Sequence, residues 1–198
     1  FTLPANDYLR TGYTFAGWSK TPDGEVLYTD KQTVKNVTSE ENGTVTLYAV
    51  WEPNKFNVSF DANTGTGTMA PVQVAYGSGA ALPECEFVKT GYSFLGWSGS
   101  SSGGNIITEA QYSTLTSVAG QTITLYAVWG ENTYTVTYDG NGGTGNISSQ
   151  IFLYSYEFEL PAGFTRTGYT LSGWATAPDG EKVYNAGQRV SGLSTEKN

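Results

Sequence analysis

Apolar and polar positions alternate along Phe56, Val58 and Phe60 against Asn57 and Ser59, and again along Tyr134, Val136 and Tyr138 against Thr135 and Thr137. A period of two predicts a half-buried strand in each place. Each strand runs into turn formers, Asp61-Ala62-Asn63-Thr64-Gly65-Thr66-Gly67 and Asp139-Gly140-Asn141-Gly142-Gly143-Thr144-Gly145, whose Gly and Asn accept positive φ at little cost. Val72, Val74 and Tyr76 give a second strand and hence a hairpin, closed by Leu82-Pro83. The spacing of Tyr13, Phe15 and Trp18 fits neither a strand nor a helix, so an irregular or one-turn helical crossover ending in a short extended piece is expected. The two Gly inside that stretch are read as serving backbone shape or close packing. Thr21-Pro22-Asp23-Gly24 and Ala177-Pro178-Asp179-Gly180 are turns, with Gly expected at positive φ, and Ser100 to Gly104 is a looser loop. A short edge strand around Val26-Leu27-Tyr28 and a last strand over Thr44 to Trp51 complete the pattern, and no segment predicts a substantial helix.

The pattern repeats. Gly12-Tyr13-Thr14-Phe15-Ala16-Gly17-Trp18 returns as Gly91-Tyr92-Ser93-Phe94-Leu95-Gly96-Trp97 and as Gly168-Tyr169-Thr170-Leu171-Ser172-Gly173-Trp174. Leu47-Tyr48-Ala49-Val50-Trp51 returns 78 positions on (125 minus 47) as Leu125-Tyr126-Ala127-Val128-Trp129. A fixed period of this size is the mark of tandem modules, here of roughly 75 to 80 residues. The markers place residues 1–51 as the back part of a module, 56–129 as a whole module and 134–198 as a front part lacking the last strand. The linkers, Glu52-Pro53-Asn54-Lys55 and Gly130-Glu131-Asn132-Thr133, are short enough to limit the freedom of neighbouring modules. A residue recurring at one place in every module is first a core residue, so Tyr13, Trp18, Trp51, Tyr92, Trp97, Trp129, Tyr169 and Trp174 are assigned to the repeat core.

Composition supports this reading. Modules of such size sit near the lower limit for a self-sufficient core, and 14 Tyr, nine Phe and five Trp offset that through the large apolar area of each ring. With 18 acidic against 10 basic residues the net charge is -8, which argues against nucleic acid and against an anionic membrane surface as partners. No apolar run approaches the roughly 20 residues that span a bilayer. Cys85 stands alone between Glu84 and Glu86, so no intrachain disulfide or cysteine metal cluster is expected, and the setting does not activate a thiol.

Candidate chemistry is sparse. The chain has no His, which removes the usual triads and His-based metal sites. The carboxylate pairs Asp23 with Glu25 and Asp179 with Glu181 have Ser102 and Gly104 at the matching places of the middle module, and turn chemistry already explains the Asp-Gly pairs. Asp139 to Asn146 begins like a Ca²⁺ loop but lacks the closing bidentate Glu, and reads as a hairpin turn. No catalytic, cofactor or metal residue is assigned, and no cofactor is expected. Where the middle module carries Ala75, Ser78 and Ala80, the third carries Leu153, Tyr156 and Phe158. A one-sided strand alternates, so Ile151 to Leu160, apolar on both faces, is expected to present Leu153, Tyr156 and Phe158 to a partner or a neighbouring module.

The order Tyr134-Thr135-Val136-Thr137-Tyr138-Asp139-Gly140-Asn141-Gly142-Gly143, then Leu-Pro, then the Gly-Tyr marker, then Leu-Tyr-Ala-Val-Trp resembles the internalin-type B-repeat, also called the Listeria-Bacteroides repeat. The resemblance implies mainly β, small β-grasp-like (ubiquitin-like) modules in an elongated array on secreted or wall-attached bacterial proteins, with no catalysis and no shared ligand-binding residues. The function expected is a structural or adhesive stalk. Two alternatives stand beside it. One is an adhesin module that binds a host or cell-surface glycan or protein through exposed aromatics. The other is a subunit of a head-to-tail filament, in which a strand from another copy completes the end modules.

Overall fold

The marker heptapeptide of the first repeat is a strand rather than a crossover. In the computed structural model, which describes residues 1–195, β1 (Tyr13–Ser19) pairs antiparallel with β2 (Tyr48–Pro53). Its register runs Phe15 to Trp51 and then Gly17 to Val50, so Ala16 is an extra residue in a β-bulge. A bulge shifts the alternation by one, which puts Phe15 and Trp18, three apart, on the same face. Their rings meet edge to face at 5.0 Å. Gly17 sits in the bulge at φ +154, where a Cβ would stand 2.5 Å from the Tyr28 carbonyl oxygen. Leu3, Trp18 and Val34 form the buried cluster of this repeat, flanked by Phe15, Tyr28 and Ala49. The strand expected over Val26 to Tyr28 reduces to a single bridge between Trp18 and Tyr28.

The middle repeat is a four-stranded sheet. It holds β3 (Lys55–Asp61), β4 (Val72–Ala75), β5 (Tyr92–Ser98) and β6 (Thr122–Glu131), in the order β4-β3-β6-β5. β3 pairs antiparallel with β4 and parallel with β6. A short helix, α1 (Glu109–Tyr112), lies in the connection from β5 to β6. The predicted alternation of β3 is realised at Phe56 and Val58, which are fully buried, while Phe60 is half-buried; Val74, Trp97, Tyr112, Leu125 and Ala127 are also buried. The expected strand over Thr44 to Trp51 is shorter than its counterpart β6 and begins only at Tyr48. In the middle repeat the matching segment is held by parallel pairing to β3; the described residues of the first repeat contain no such partner.

The third repeat is built from two-stranded pairs: β7 (Thr133–Val136) with β8 (Gln150–Leu153), β9 (Phe158–Glu159) with β12 (Arg189–Val190), and β10 (Gly173–Trp174) with β11 (Tyr184–Asn185). Tyr134, Tyr138, Phe158, Leu160 and Val190 are its buried cluster. Turns fall where expected, with Asn63, Thr64, Asn141 and Gly142 at positive φ. Gly24 and Gly180 depart from the expectation. Neither has positive φ, because each occupies the last place of its turn, its N–H donating to Thr21 O and Ala177 O, a position that favours Gly in the commonest turn type.

By contact density the chain falls into two compact units. One holds Phe1–Asn63, Thr68–Glu86 and Trp97–Ala127; the other holds Thr64–Gly67, Phe87–Gly96 and the residues from Val128 onward. Among the described residues, no helix is long and apolar enough to cross a membrane.

Candidate functional site at the repeat junction

The linkers carry a repeated polar clasp. At the first, the Asn54 N–H donates to Gly12 O at 2.8 Å, and its carbonyl accepts the Tyr76 N–H at 2.8 Å. Its side chain accepts from the Thr14 hydroxyl at 2.6 Å and donates to Ser117 O at 2.7 Å. All four polar groups of one asparagine are therefore used, which is what a part-buried amide requires. At the second linker Asn132 donates to Gly91 O at 2.9 Å, accepts from the Tyr154 N–H at 2.9 Å, and accepts from the Ser93 hydroxyl at 2.6 Å. Asn132 is 8% exposed.

Above each clasp a tyrosine from the following hairpin lies on the marker glycine. A Cβ on Gly12 would meet the Tyr76 ring at 2.1 Å, and one on Gly91 would meet the Tyr154 ring at 2.2 Å. Both glycines also hold left-handed backbone, at φ +77 and +76, so two independent constraints exclude a side chain. Tyr13 and Tyr76 contact edge to face at 6.0 Å, and Tyr92 and Tyr154 at 6.3 Å. The Arg10 guanidinium covers Tyr13 at 4.0 Å, and the Lys89 ammonium covers Tyr92 at 4.2 Å, a cation–π arrangement.

The third repeat has the same turn without the cover. Gly168 keeps φ +79 but nothing lies within 4 Å of where its Cβ would stand. Arg166 still covers Tyr169 at 4.4 Å, yet Tyr169 is 69% exposed. Its assignment to the core is therefore corrected. The equivalents Tyr13 and Tyr92 are half-buried because a hairpin tyrosine packs on each.

The tryptophans divide. Trp97 and Trp18 are buried at 2% and 8% exposure, whereas Trp51, Trp129 and Trp174 are half-buried. The Trp97 and Trp174 indoles donate to Pro83 O and Pro161 O, each at 3.1 Å, so in the middle and third repeats the Leu-Pro segment is the acceptor for the marker tryptophan. The buried Trp18 indole N–H has no hydrogen-bond partner among the described residues.

Of the three residues expected to face a partner, Leu153 and Tyr156 are exposed, at 46% and 56%, but Phe158 is 7% exposed. Phe158 belongs to the core cluster and stacks on Phe152 at 3.7 Å. The segment is not one strand. A turn closed by the Tyr156 N–H on Leu153 O separates β8 from β9 and resets the alternation, which is why an apolar run on both faces is reconciled with an ordinary core.

The candidate carboxylates are surface groups: Asp23, Glu25, Asp179 and Glu181 are all exposed. In the loop with Ca²⁺-like spacing, Asp139 accepts the Asn141 N–H at 2.7 Å and Asn141 donates to Pro178 O at 2.7 Å. These side chains shape the turn. Among the described residues no group of three or more Asp, Glu, His or Cys is placed to hold a metal ion. One linker carboxyl is perturbed: Glu131 is held below its ordinary range, chiefly by hydrogen bonds from Ser155.

The sequence pattern places Tyr76 in a strand and Asn54 and Asn132 in linkers but gives none of them, nor Tyr154, a role at the junction, although a signal exists. Asn54 to Asn132 and Tyr76 to Tyr154 are both separated by 78 positions (132 minus 54, and 154 minus 76), the spacing of the tryptophan markers.

A family model described as the Listeria-Bacteroides repeat domain matches residues 1–50, 56–128 and 134–195. Among curated relatives, one from Evansella cellulosilytica named as a membrane protein is 35% identical over 175 residues, covering 86% of this chain and 24% of its own length. A second from that organism, named as a Gly-rich membrane protein, is 32% identical and covers 83% of this chain and 19% of its own length. Internalin H of Listeria monocytogenes is 32% identical over 157 residues, covering 78% of this chain and 26% of its own length. The chain thus spans about a quarter or less of these relatives. No solved structure matches it.

Proposed function

The chain belongs to the Listeria-Bacteroides repeat domain family, and from that premise we propose that it is a non-catalytic spacer of a bacterial surface or secreted protein, holding other domains at a distance through clasped tandem repeats. The repeated junction carries this reading. Asn54 and Asn132 make matching hydrogen bonds to Gly12 and Gly91, and a spacer needs the same stiff joint at each step. The relatives named as membrane proteins and the internalin support a cell-surface setting. The modules are taken as 1–51, 56–129 and 134–198. For each complete module we propose a β-grasp-like sheet; what supports it is the order of second, first, fourth and third strands, with the central pair parallel.

Light scattering coupled to small-angle X-ray scattering over a wide concentration range tests the spacer. An elongated monomer is expected, and a compact sphere would sink the reading. A second reading, a protein- or glycan-binding adhesin, is favoured by the exposed apolar face of Ile151, Leu153 and Tyr156, at 68%, 46% and 56% exposure. Under it, Tyr156→Ala abolishes binding to host-cell surfaces while lowering stability by only about 0.5–1.5 kcal/mol.

A further inference from the structure

The middle repeat receives the chain at β3 and releases it at β6, and these two strands lie side by side and parallel. We propose that this pair is a shear clamp, which makes the repeat a tension-bearing element that resists being pulled open along the chain.

The register carries the argument. Asn57 to Asp61 run beside Thr122 to Tyr126 in five pairs, from Asn57 with Thr122 to Asp61 with Tyr126. Tension in the chain acts on β3 at its first residue, Lys55, and on β6 at its last, Glu131. In a parallel pair these are opposite ends of the ladder, so tension drags the strands past each other along their lengths. The evenly spaced bonds of a parallel ladder are then strained together. In an antiparallel hairpin loaded at its open end, such as β3 with β4 at Lys55 and Ala75, they yield one after another.

Side chains reinforce the ladder on both faces. On one, Phe56, Val58, Leu125 and Ala127 are all 0% exposed, which leaves the ladder beneath them in a dry, low-dielectric setting where hydrogen bonds are stronger. On the other, the Ser59 and Thr124 hydroxyls share a hydrogen bond at 3.0 Å. Beyond the last pair, Asn63 Nδ2 donates to Ala127 O at 2.9 Å. At the entry, the Gly120 N–H donates to Lys55 O and the Asn57 N–H to Gln121 O, each at 2.8 Å. The Asn54 side chain adds a bond to Ser117 O at 2.7 Å. Every one of these ties crosses between the two chain segments that tension separates. β4, at the sheet edge, lies outside that path. The role in bearing tension rests on the spacer reading; the clamp geometry does not.

The test is single-molecule pulling of the 198-residue chain at one loading rate in two geometries, with Cys85→Ser in both. In the first, handles are fused to the two ends. In the second, they are attached through Lys55→Cys and Thr122→Cys, exposed positions at the same end of the ladder, so the load peels the pair apart. Under end loading the middle repeat is recognised by its contour length, roughly 250 Å for residues 56–129 at full extension. Its opening force is expected to be higher in the first geometry, by up to about fivefold, because the five pairs share the load instead of failing singly. Ser59→Ala is expected to speed opening under end load about fivefold, through the loss of one hydrogen bond, whereas Val72→Ala in β4 leaves that rate nearly unchanged. Equal forces in the two geometries, or equal acceleration by the two variants, would overturn the clamp. A compact sphere in scattering would sink the spacer reading with the force ratio untouched, and equal forces in an elongated chain would sink the clamp alone.

Discussion

Tyr154 lies so close over Gly91 that a Cβ on the glycine would stand 2.2 Å from the ring. Sequence recurrence marks the glycine, but its partner is 63 residues away (154 minus 91), in the hairpin of the next repeat. The junction is therefore made by residues whose importance shows only when the two repeats are placed together.

Gly91→Ala is expected to destabilise far more than Gly168→Ala. Left-handed backbone alone costs about 1–2 kcal/mol for a residue with a Cβ, and both positions carry it. Overlap with Tyr154 adds roughly 1–3 kcal/mol at Gly91 only, because Gly168 has open space at that point. Urea denaturation of the two variants, resolved by repeat, measures the difference.

Asn132 and Ser93 should couple. The Ser93 hydroxyl donates to the Asn132 side chain at 2.6 Å in a part-buried setting, so Asn132→Ala and Ser93→Ala each cost about 1 kcal/mol. The double variant is expected to cost less than their sum by about 0.5–1.5 kcal/mol. Strict additivity in a denaturant cycle would show that this bond contributes nothing to the clasp.

Phe158→Ala and Tyr156→Ala are expected to separate. The first opens a cavity beside Phe152 in a buried cluster and costs about 3–5 kcal/mol. The second loses a stack on Phe152, at 5.8 Å with the rings nearly parallel, worth roughly 0.5–1.5 kcal/mol. Thermal melts of both variants check the order.

Glu131 gives a pH signature. Its folded-state pKa lies below the ordinary carboxylate value because Ser155 donates to the charged form. A depressed folded pKa contributes stability that is present above the unfolded value of about 4.5 and is lost as pH falls through the lower folded one. The protection factor of the Ser155 amide, taken against the intrinsic exchange rate at each pH, is therefore expected to fall on acidification below pH 4.5, and Glu131→Gln to remove that step. An unchanged acid profile in Glu131→Gln would contradict the assignment.

Much of the fold was legible because periodicity and turn chemistry act locally. The alternation of Phe56 and Val58 and the positive-φ Asn63 and Asn141 needed nothing beyond neighbours in sequence. The marker strand was not legible, since the bulge at Ala16 hides a period of two behind a spacing of three. Tyr169 and Phe158 were misplaced for a tertiary reason: exposure of the first depends on a tyrosine from another hairpin, and burial of the second on a turn at Leu153 to Tyr156. The clasp asparagines were hidden by their type, because Asn in a short linker is ordinarily a turn residue.

The clasp at Asn54 is expected to make β1 and β3 move as one stiff body. Nitrogen-15 relaxation of the 198-residue chain tests it at the first junction, by comparing amides of β1 with those of β3. One shared rotational correlation time is expected, splitting into two shorter times in Tyr76→Ala. Two separate short times in the unaltered chain, each that of a single repeat, would contradict it.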